Sequence, residues 1–172
     1  MEFKLGLNIV PFPGLARDWH VDGFLTFIPD TIYVDQRQME TQETRYRFTL
    51  AHEVGHWILH RDLYNDEKVS DLEAYLRMYE AMDDEDLSAC EFQARNLGGR
   101  ILLPRAPFLE VVEQAFKPLR PKVPQKADTK LVCGRLAKVV APRFNVHEQV
   151  IETRLFGDGL CEEIGLWKTE KR

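Results

Sequence analysis

The apolar positions fall into two kinds of run. Residues 1–36 read as extended structure, with Phe24-Leu25-Thr26-Phe27-Ile28 and Ile32-Tyr33-Val34 as its β-rich runs. Pro29-Asp30-Thr31 between them has turn chemistry, so a hairpin is expected. The spacing then becomes helical. Phe48, Ala51, Val54 (or Gly55) and Ile58 recur at intervals of three and four, which predicts a long helix from about Glu40 to His60 or Arg61. A second helix is expected to open at Ser70-Asp71-Leu72-Glu73, with Ser70 as the cap and Glu73 reaching back. A third is predicted from about Glu85 to Leu102, stopping near Pro104, and a fourth from about Pro107 to Phe116. Residues 117–127, KPLRPKVPQKA, hold three prolines and four basic residues with no acid, the composition of a linker or an extended crossing. Beyond it, residues 128–141 and 147–156 read as two helices, the latter opened by a second capping box, Asn145-Val146-His147-Glu148.

Composition narrows the class. The chain has 172 residues, 44% of them hydrophobic, enough for one domain or one domain with a small appendage. Its net charge of −5 gives no global attraction to nucleic acid or anionic membranes. Acidic residues 66–86 and basic residues 117–143 read as a solvated face and a solvated linker. No apolar run approaches the ~20 residues of a membrane span. Met1-Glu2-Phe3-Lys4-Leu5-Gly6 has no basic-then-apolar signal pattern. The three cysteines, Cys90, Cys133 and Cys161, are far apart without CxxC spacing, which argues against a disulfide framework and a cysteine zinc site. A cytoplasmic protein without membrane attachment is expected.

The chemistry lies in His52-Glu53-Val54-Gly55-His56. His52 and His56, four residues apart on a helix, project from one face and can clamp one Zn²⁺. Glu53, beside the first ligand, can take a proton from the metal's water. A glycine inside a helix costs ~1 kcal/mol against alanine, so Gly55 implies room for a neighbour. A catalytic zinc needs a third protein ligand. The extended form of the motif, with glycine and histidine at positions 59 and 62, is excluded by Leu59 and Asp62. A carboxylate from the third helix remains. Glu91 is the best candidate, because Ala94 and Gly98 follow on its face and would let that helix come close. By spacing alone, Glu85 or Asp86 is nearly as good. His60 competes as a ligand but suits a place behind His56 or at the helix C-terminus.

Arg47-Phe48-Thr49-Leu50-Ala51-His52-Glu53-Val54-Gly55-His56 closely resembles the RFTLAHELGH segment of the ImmA/IrrE family of metallopeptidases. His60 resembles the LH that follows, and Glu91 to Pro104 resembles the family's ExxAxxFAAxLLMP helix. Residues Leu136-Ala137 through Arg154-Leu155 resemble its C-terminal element. The resemblance covers most of the chain and implies Glu91 as the third metal ligand, ahead of Glu85 and Asp86. It also implies a helix-turn-helix repressor as substrate. Two departures stand out. Leu97-Gly98-Gly99 replaces Phe-Ala-Ala, which could loosen the helix holding Glu91, and His147 replaces a serine.

The expected fold is α+β: a small N-terminal sheet packed on a helical zinc-metalloprotease core, with a C-terminal helical pair. The expected organisation is a core over 1–116, a linker over 117–127 and a C-terminal helical element over 128–172 that closes the cleft. The expected function is zinc-dependent endopeptidase, with His52, His56 and Glu91 on the metal and Glu53 as the base. Tyr64, His147 and Arg154 are each candidates to stabilise an oxyanion. The rival is a non-catalytic zinc module or toxin–antitoxin component that binds a repressor, though such a module has no need of a base at Glu53. A helix-turn-helix over 128–156 is disfavoured, because its second helix opens with His147, Glu148 and Gln149 and offers only Arg154 as a fixed positive charge.

Overall fold

The computed structural model describes residues 5–27, 29–123 and 128–163. Ile28 of the first expected strand, residues 124–127 of the expected linker and residues 164–172 lie outside the described residues. The architecture is α+β. The chain forms two compact units, Met1–Gly98 and Gly99–Arg172, with the division falling inside one helix and ahead of the 117–127 stretch.

The first unit contains β1 (Asn8–Phe12), α1 (Leu15–Trp19), β2 (Gly23–Phe27), β3 (Asp30–Asp35), α2 (Gln36–Thr41), α3 (Glu43–Leu59), α4 (Arg61–Asp66), α5 (Leu72–Ala81) and most of α6 (Asp84–Leu102). The sheet has the order β1-β3-β2. The expected hairpin is present: β2 runs antiparallel to β3, with Leu25 opposite Ile32. On the other side β1 runs parallel to β3, with Ile9 opposite Ile32. All five residues of β2 are buried although it is an edge strand, because α3, α4 and α5 pack against it. That burial accounts for its unbroken apolar run. Asp35 ends β3 and joins two helices to it: Oδ1 accepts from the Gln38 amide at 2.9 Å and Oδ2 from the Ala16 amide at 3.0 Å.

Local expectations need three corrections here. The single helix from Glu40 is two, because Gln42 leaves helical angles at φ −133° and ψ 63°. Ile58 is 52% exposed, so the predicted stripe is rotated. The buried face of α3 instead carries Leu50, Ala51 and Val54 with Glu53, Gly55 and His56. Functional side chains thus occupy positions that periodicity assigns to aliphatic ones. The cap of α5 is Asp71 rather than Ser70. Asp71 is extended and its Oδ1 accepts from the Ala74 amide at 2.9 Å. Ser70 only donates to Asp71 at 3.2 Å, and Glu73 pairs along the helix with Arg77.

The second unit holds the end of α6, then α7 (Arg105–Phe116), a 3-10 turn over Arg120–Lys122, α8 (Thr129–Phe144), α9 (Glu148–Gly157) and α10 (Leu160–Glu163). Phe108, Val112, Phe116, Leu136, Ile151 and Leu155 form its buried core. Helix α7 begins two residues before Pro107, since a proline in the first turn removes an amide that has no intrahelical partner. Helix α8 runs past Pro142 to Phe144 and ends at Asn145 in the left-handed region, φ 51°. The cap of α9 is His147 rather than Asn145: its Nδ1 accepts from the Gln149 amide at 3.2 Å. All three cysteines are free thiols, and Cys133 and Cys161 lie buried with their Sγ atoms 3.3 Å apart. No helix among the described residues is long and apolar enough to cross a membrane.

Candidate metal centre

Two helices of the first unit make the centre, and small residues let them meet. A Cβ placed on Gly55 of α3 would sit 2.7 Å from the Ala94 carbonyl oxygen of α6. A Cβ on Gly98 of α6 would sit 3.0 Å from the His52 amide nitrogen. Both contacts are with backbone, which cannot swing away. Gly98 therefore marks a close crossing rather than a loosened helix, contrary to the expectation from its departure from alanine. The crossing holds Glu91 opposite the two histidines.

The donor atoms converge. Glu91 Oε2 lies 3.2 Å from His52 Nε2, Glu91 Oε1 lies 3.2 Å from His56 Nε2, and the two imidazole nitrogens are 3.1 Å apart. One ligand atom from each of the three residues falls within 4.8 Å of the others, so His52, His56 and Glu91 could hold a metal ion. Glu85 and Asp86, the alternatives by spacing, are exposed in the first turn of α6 and outside this group.

The surroundings prepare these atoms for a cation. His60 stands behind His56, with the two Nδ1 atoms 3.0 Å apart, and its Nε2 lies 3.1 Å from Gln93 Oε1. The glutamine oxygen accepts, so His60 Nε2 carries the proton and its Nδ1 accepts in turn. His56 then donates from Nδ1, so its Nε2 is the atom offered to a cation and, without one, an Nε2–H donates to Glu91. His60 is pushed below its ordinary pKa by burial, which suits this neutral relay. For His52, burial opposes protonation, yet the hydrogen bond to Glu91 and the charges of Glu53 and Glu91 push its pKa up. What attracts a proton there attracts a metal cation equally. Burial also works against a charged Glu91, but hydrogen bonds from His52, His56 and Tyr79 hold it well below the usual carboxylate range.

Glu53 is 4% exposed and its pKa is raised, chiefly by burial. It borders a cleft of about 420 Å³ together with His20, Asp22, His52, Tyr79 and Glu91. Arg45 donates three hydrogen bonds to the Asp22 carboxylate, at 2.7, 2.8 and 3.0 Å, and both residues line the cleft.

Tyr79 is the residue that sequence reasoning missed. Its hydroxyl donates to Glu91 Oε1 and its ring borders the cleft. Tyr75, one turn earlier, packs on Phe24 of β2 at 5.5 Å and on Tyr79 at 4.5 Å, so the sheet fixes the direction of Tyr79. The Tyr75/Tyr79 pair at i,i+4 was the available signal. Of the earlier oxyanion candidates, only Tyr64 belongs to the first unit. Tyr64 is buried, its ring 5.9 Å from that of His56, and it does not line the cleft. His147 caps α9, and Arg154 is engaged with Leu103 and Asp158 inside the second unit.

The family model described as Peptidase_M78, IrrE N-terminal-like domain, matches residues 4–156 of the chain. No curated protein matches it.

Proposed function

The chain belongs to the Peptidase_M78 family of IrrE N-terminal-like domains, and from that premise we propose that it is a zinc-dependent endopeptidase whose substrate is a helix-turn-helix transcriptional repressor. The observation that carries the reading is the meeting of two histidines of α3 with the Glu91 carboxylate of α6, and a second, buried carboxylate, Glu53, that lines the same cleft as His52 and Glu91. Two nitrogens and one carboxylate oxygen are the donor set of a catalytic zinc that keeps one position open. Bound there, zinc would acidify a water toward a pKa of ~7 and polarise the scissile carbonyl.

The chain's own residues supply the rest. Glu53, in its carboxylate form, accepts the proton of the attacking water as its oxygen bonds to the carbonyl carbon. It passes that proton to the amine nitrogen as the C–N bond breaks. Its burial raises its affinity for the proton it must hold between the two steps. The Gln93–His60–His56 relay keeps one ligand in the right tautomer, and Tyr79 orients Glu91. The repressor enters the reading through the family resemblance. Its scissile segment must be extended, because a folded helix hides its carbonyls. We place the reaction in the reducing cytoplasm, in keeping with three free thiols.

The experiment is a cleavage assay with the full chain and the repressor encoded beside its gene, with mass spectrometry of the products. A discrete cut that disappears with a chelator and in Glu53→Gln is expected. Tight binding to that repressor without cleavage under any metal condition would replace the enzyme by a non-catalytic binder.

A further inference from the structure

We propose, resting on the endopeptidase reading, that Arg95 sets a preference among substrates: its guanidinium receives an acidic side chain of the peptide, aspartate or glutamate, close to the scissile bond. Arg95 lies on α6 in the first unit and lines the cleft of about 420 Å³ together with His52, Glu53 and Glu91.

The charges of the cleft single this residue out. Histidines aside, the charged side chains that line it are Asp22, Glu53 and Glu91 against Arg45 and Arg95. Arg45 donates three hydrogen bonds to the Asp22 carboxylate, so that pair is neutral within itself. Arg95 is held differently. Its ion pair with Glu91 is long, Nη2 to Oε2 at 4.0 Å, and its side chain is 59% exposed. Such a pair contributes little and is easily exchanged. Glu91 meanwhile accepts from Tyr79 and stands 3.2 Å from both imidazoles, so Arg95 is the outermost of its partners. A divalent ion on His52, His56 and Glu91 would balance the carboxylates of Glu91 and Glu53. Arg95 would then be the unbalanced charge of the cleft. Without the ion the acids outnumber the bases, and an acidic side chain would be repelled.

Position and chemistry agree with this role. Arg95 follows Glu91 by four residues on α6, about 6 Å along the helix axis. An extended peptide advances about 3.3 Å per residue, so the acidic side chain falls within roughly two residues of the scissile bond. Phe48, Leu76 and Tyr79 form part of the wall. Charges attract more strongly beside such apolar surface than in open water. A guanidinium offers a carboxylate two parallel N–H donors, a geometry that a neutral amide matches poorly.

The test uses two series of short peptide hydroxamates, one with the peptide before the hydroxamate and one with the peptide after it. Each carries Glu, Gln or Lys at the first or second position. The hydroxamate is a zinc ligand and anchors each series on one side of the centre. Dissociation constants are measured by isothermal titration on the full, zinc-loaded chain. In one series Glu should bind about tenfold or more tightly than Gln, the usual weight of a hydrogen bond between charged groups. Arg95→Gln should abolish that preference, Arg95→Lys should keep part of it, and Arg95→Glu should turn it toward Lys. Zinc content should be unchanged in Arg95→Gln. A residue that merely supported Glu91 would instead lose zinc in that variant and weaken the Glu, Gln and Lys probes alike. Equal affinity for Glu and Gln in both series, or a Glu preference that survives Arg95→Gln, would overturn the proposal and leave the peptidase reading standing. Failure of every hydroxamate to bind would count against the metal centre itself, and the proposal would fall with it.

Discussion

The first unit gathers His52, His56 and Glu91 around one point beside Glu53, and the second pairs Arg100 and Arg154 with Asp158 in a groove that Arg105 also lines. Each cluster has a buried charged side chain at its centre, Glu53 in the first and Arg154 in the second, while Arg100 and Arg105 are exposed. They differ in what is missing. Around Glu91 the unmet capacity is lone pairs: two imidazole nitrogens and two carboxylate oxygens stand 3.1–3.2 Å from one another. Around Asp158 it is an N–H group: the buried Nε of Arg154 has no hydrogen-bond partner among the described residues. Buried polar groups demand partners, so the sign of the deficit indicates the sign of the ligand. Acceptor excess, as around Glu91, calls for a cation.

The clusters also differ in how their geometry is held, and that difference can be broken experimentally. The largest effect is expected within the first cluster. Glu53→Gln keeps shape and burial but removes the base, so proteolysis should fall by at least ~10² while the bound metal stays. Unchanged cleavage would remove Glu53 from the chemistry, and metal loss would mean that Glu53 and Glu91 have been given each other's roles. Next comes Tyr79→Phe, which deletes the hydroxyl that donates to Glu91. Metal affinity, titrated against a chromophoric chelator, should drop roughly 10–100-fold, as is usual when a ligand loses its orienting partner. An unaltered affinity would leave Tyr79 as a wall of the cleft only.

Gly55→Ala tests the helix crossing. Helix propensity alone would make it stabilising by ~1 kcal/mol. The 2.7 Å approach to the Ala94 carbonyl reverses the sign, and a loss of about 1–3 kcal/mol in chemical denaturation is expected. A gain in stability would show that α3 and α6 are not in contact there. The smallest effect is a pH dependence of the chelated, metal-free protein. The lowered pKa of Glu91 contributes stability above its ordinary 4.5, lost as pH falls toward the lowered value. The raised pKa of His52 contributes below its ordinary 6.5, lost as pH rises through the raised value. The pair therefore supports the fold most fully between pH 4.5 and 6.5. Thermal denaturation of wild type and Glu91→Gln should diverge in that window and converge outside it. Parallel curves would contradict the coupling.

What could be read from the amino-acid sequence follows from how local each feature is. The placement of His52 and His56 on one face needs only the pitch of a helix. Glu91 could not be separated from Glu85 and Asp86 by spacing, because the choice is made where α6 crosses α3. Family resemblance supplied it, and the contact at Gly55 and Ala94 gives the physical reason. The caps at Asp71 and His147 were misjudged by one and two positions, since capping depends on which residue turns extended, and neighbouring polar residues compete for it. Ile58 was assigned inward because periodicity cannot know that Glu53, Gly55 and His56 take the buried face. Tyr79 needed the sheet to aim it. The Arg100–Asp158–Arg154 grouping joins positions too far apart in the chain for any charge run to reveal.

Three residues sharing one zinc are the centre of the proposed chemistry, and metal content measures that directly. Wild-type protein, purified without added metal and analysed by inductively coupled plasma mass spectrometry, should carry about one zinc per chain, as one two-histidine, one-carboxylate site requires. Glu91→Ala should lose most of it while circular dichroism shows the fold retained. Full zinc retention in folded Glu91→Ala would contradict the account, remove Glu91 from the ligand set, and bring forward His60, the imidazole already 3.0 Å from His56.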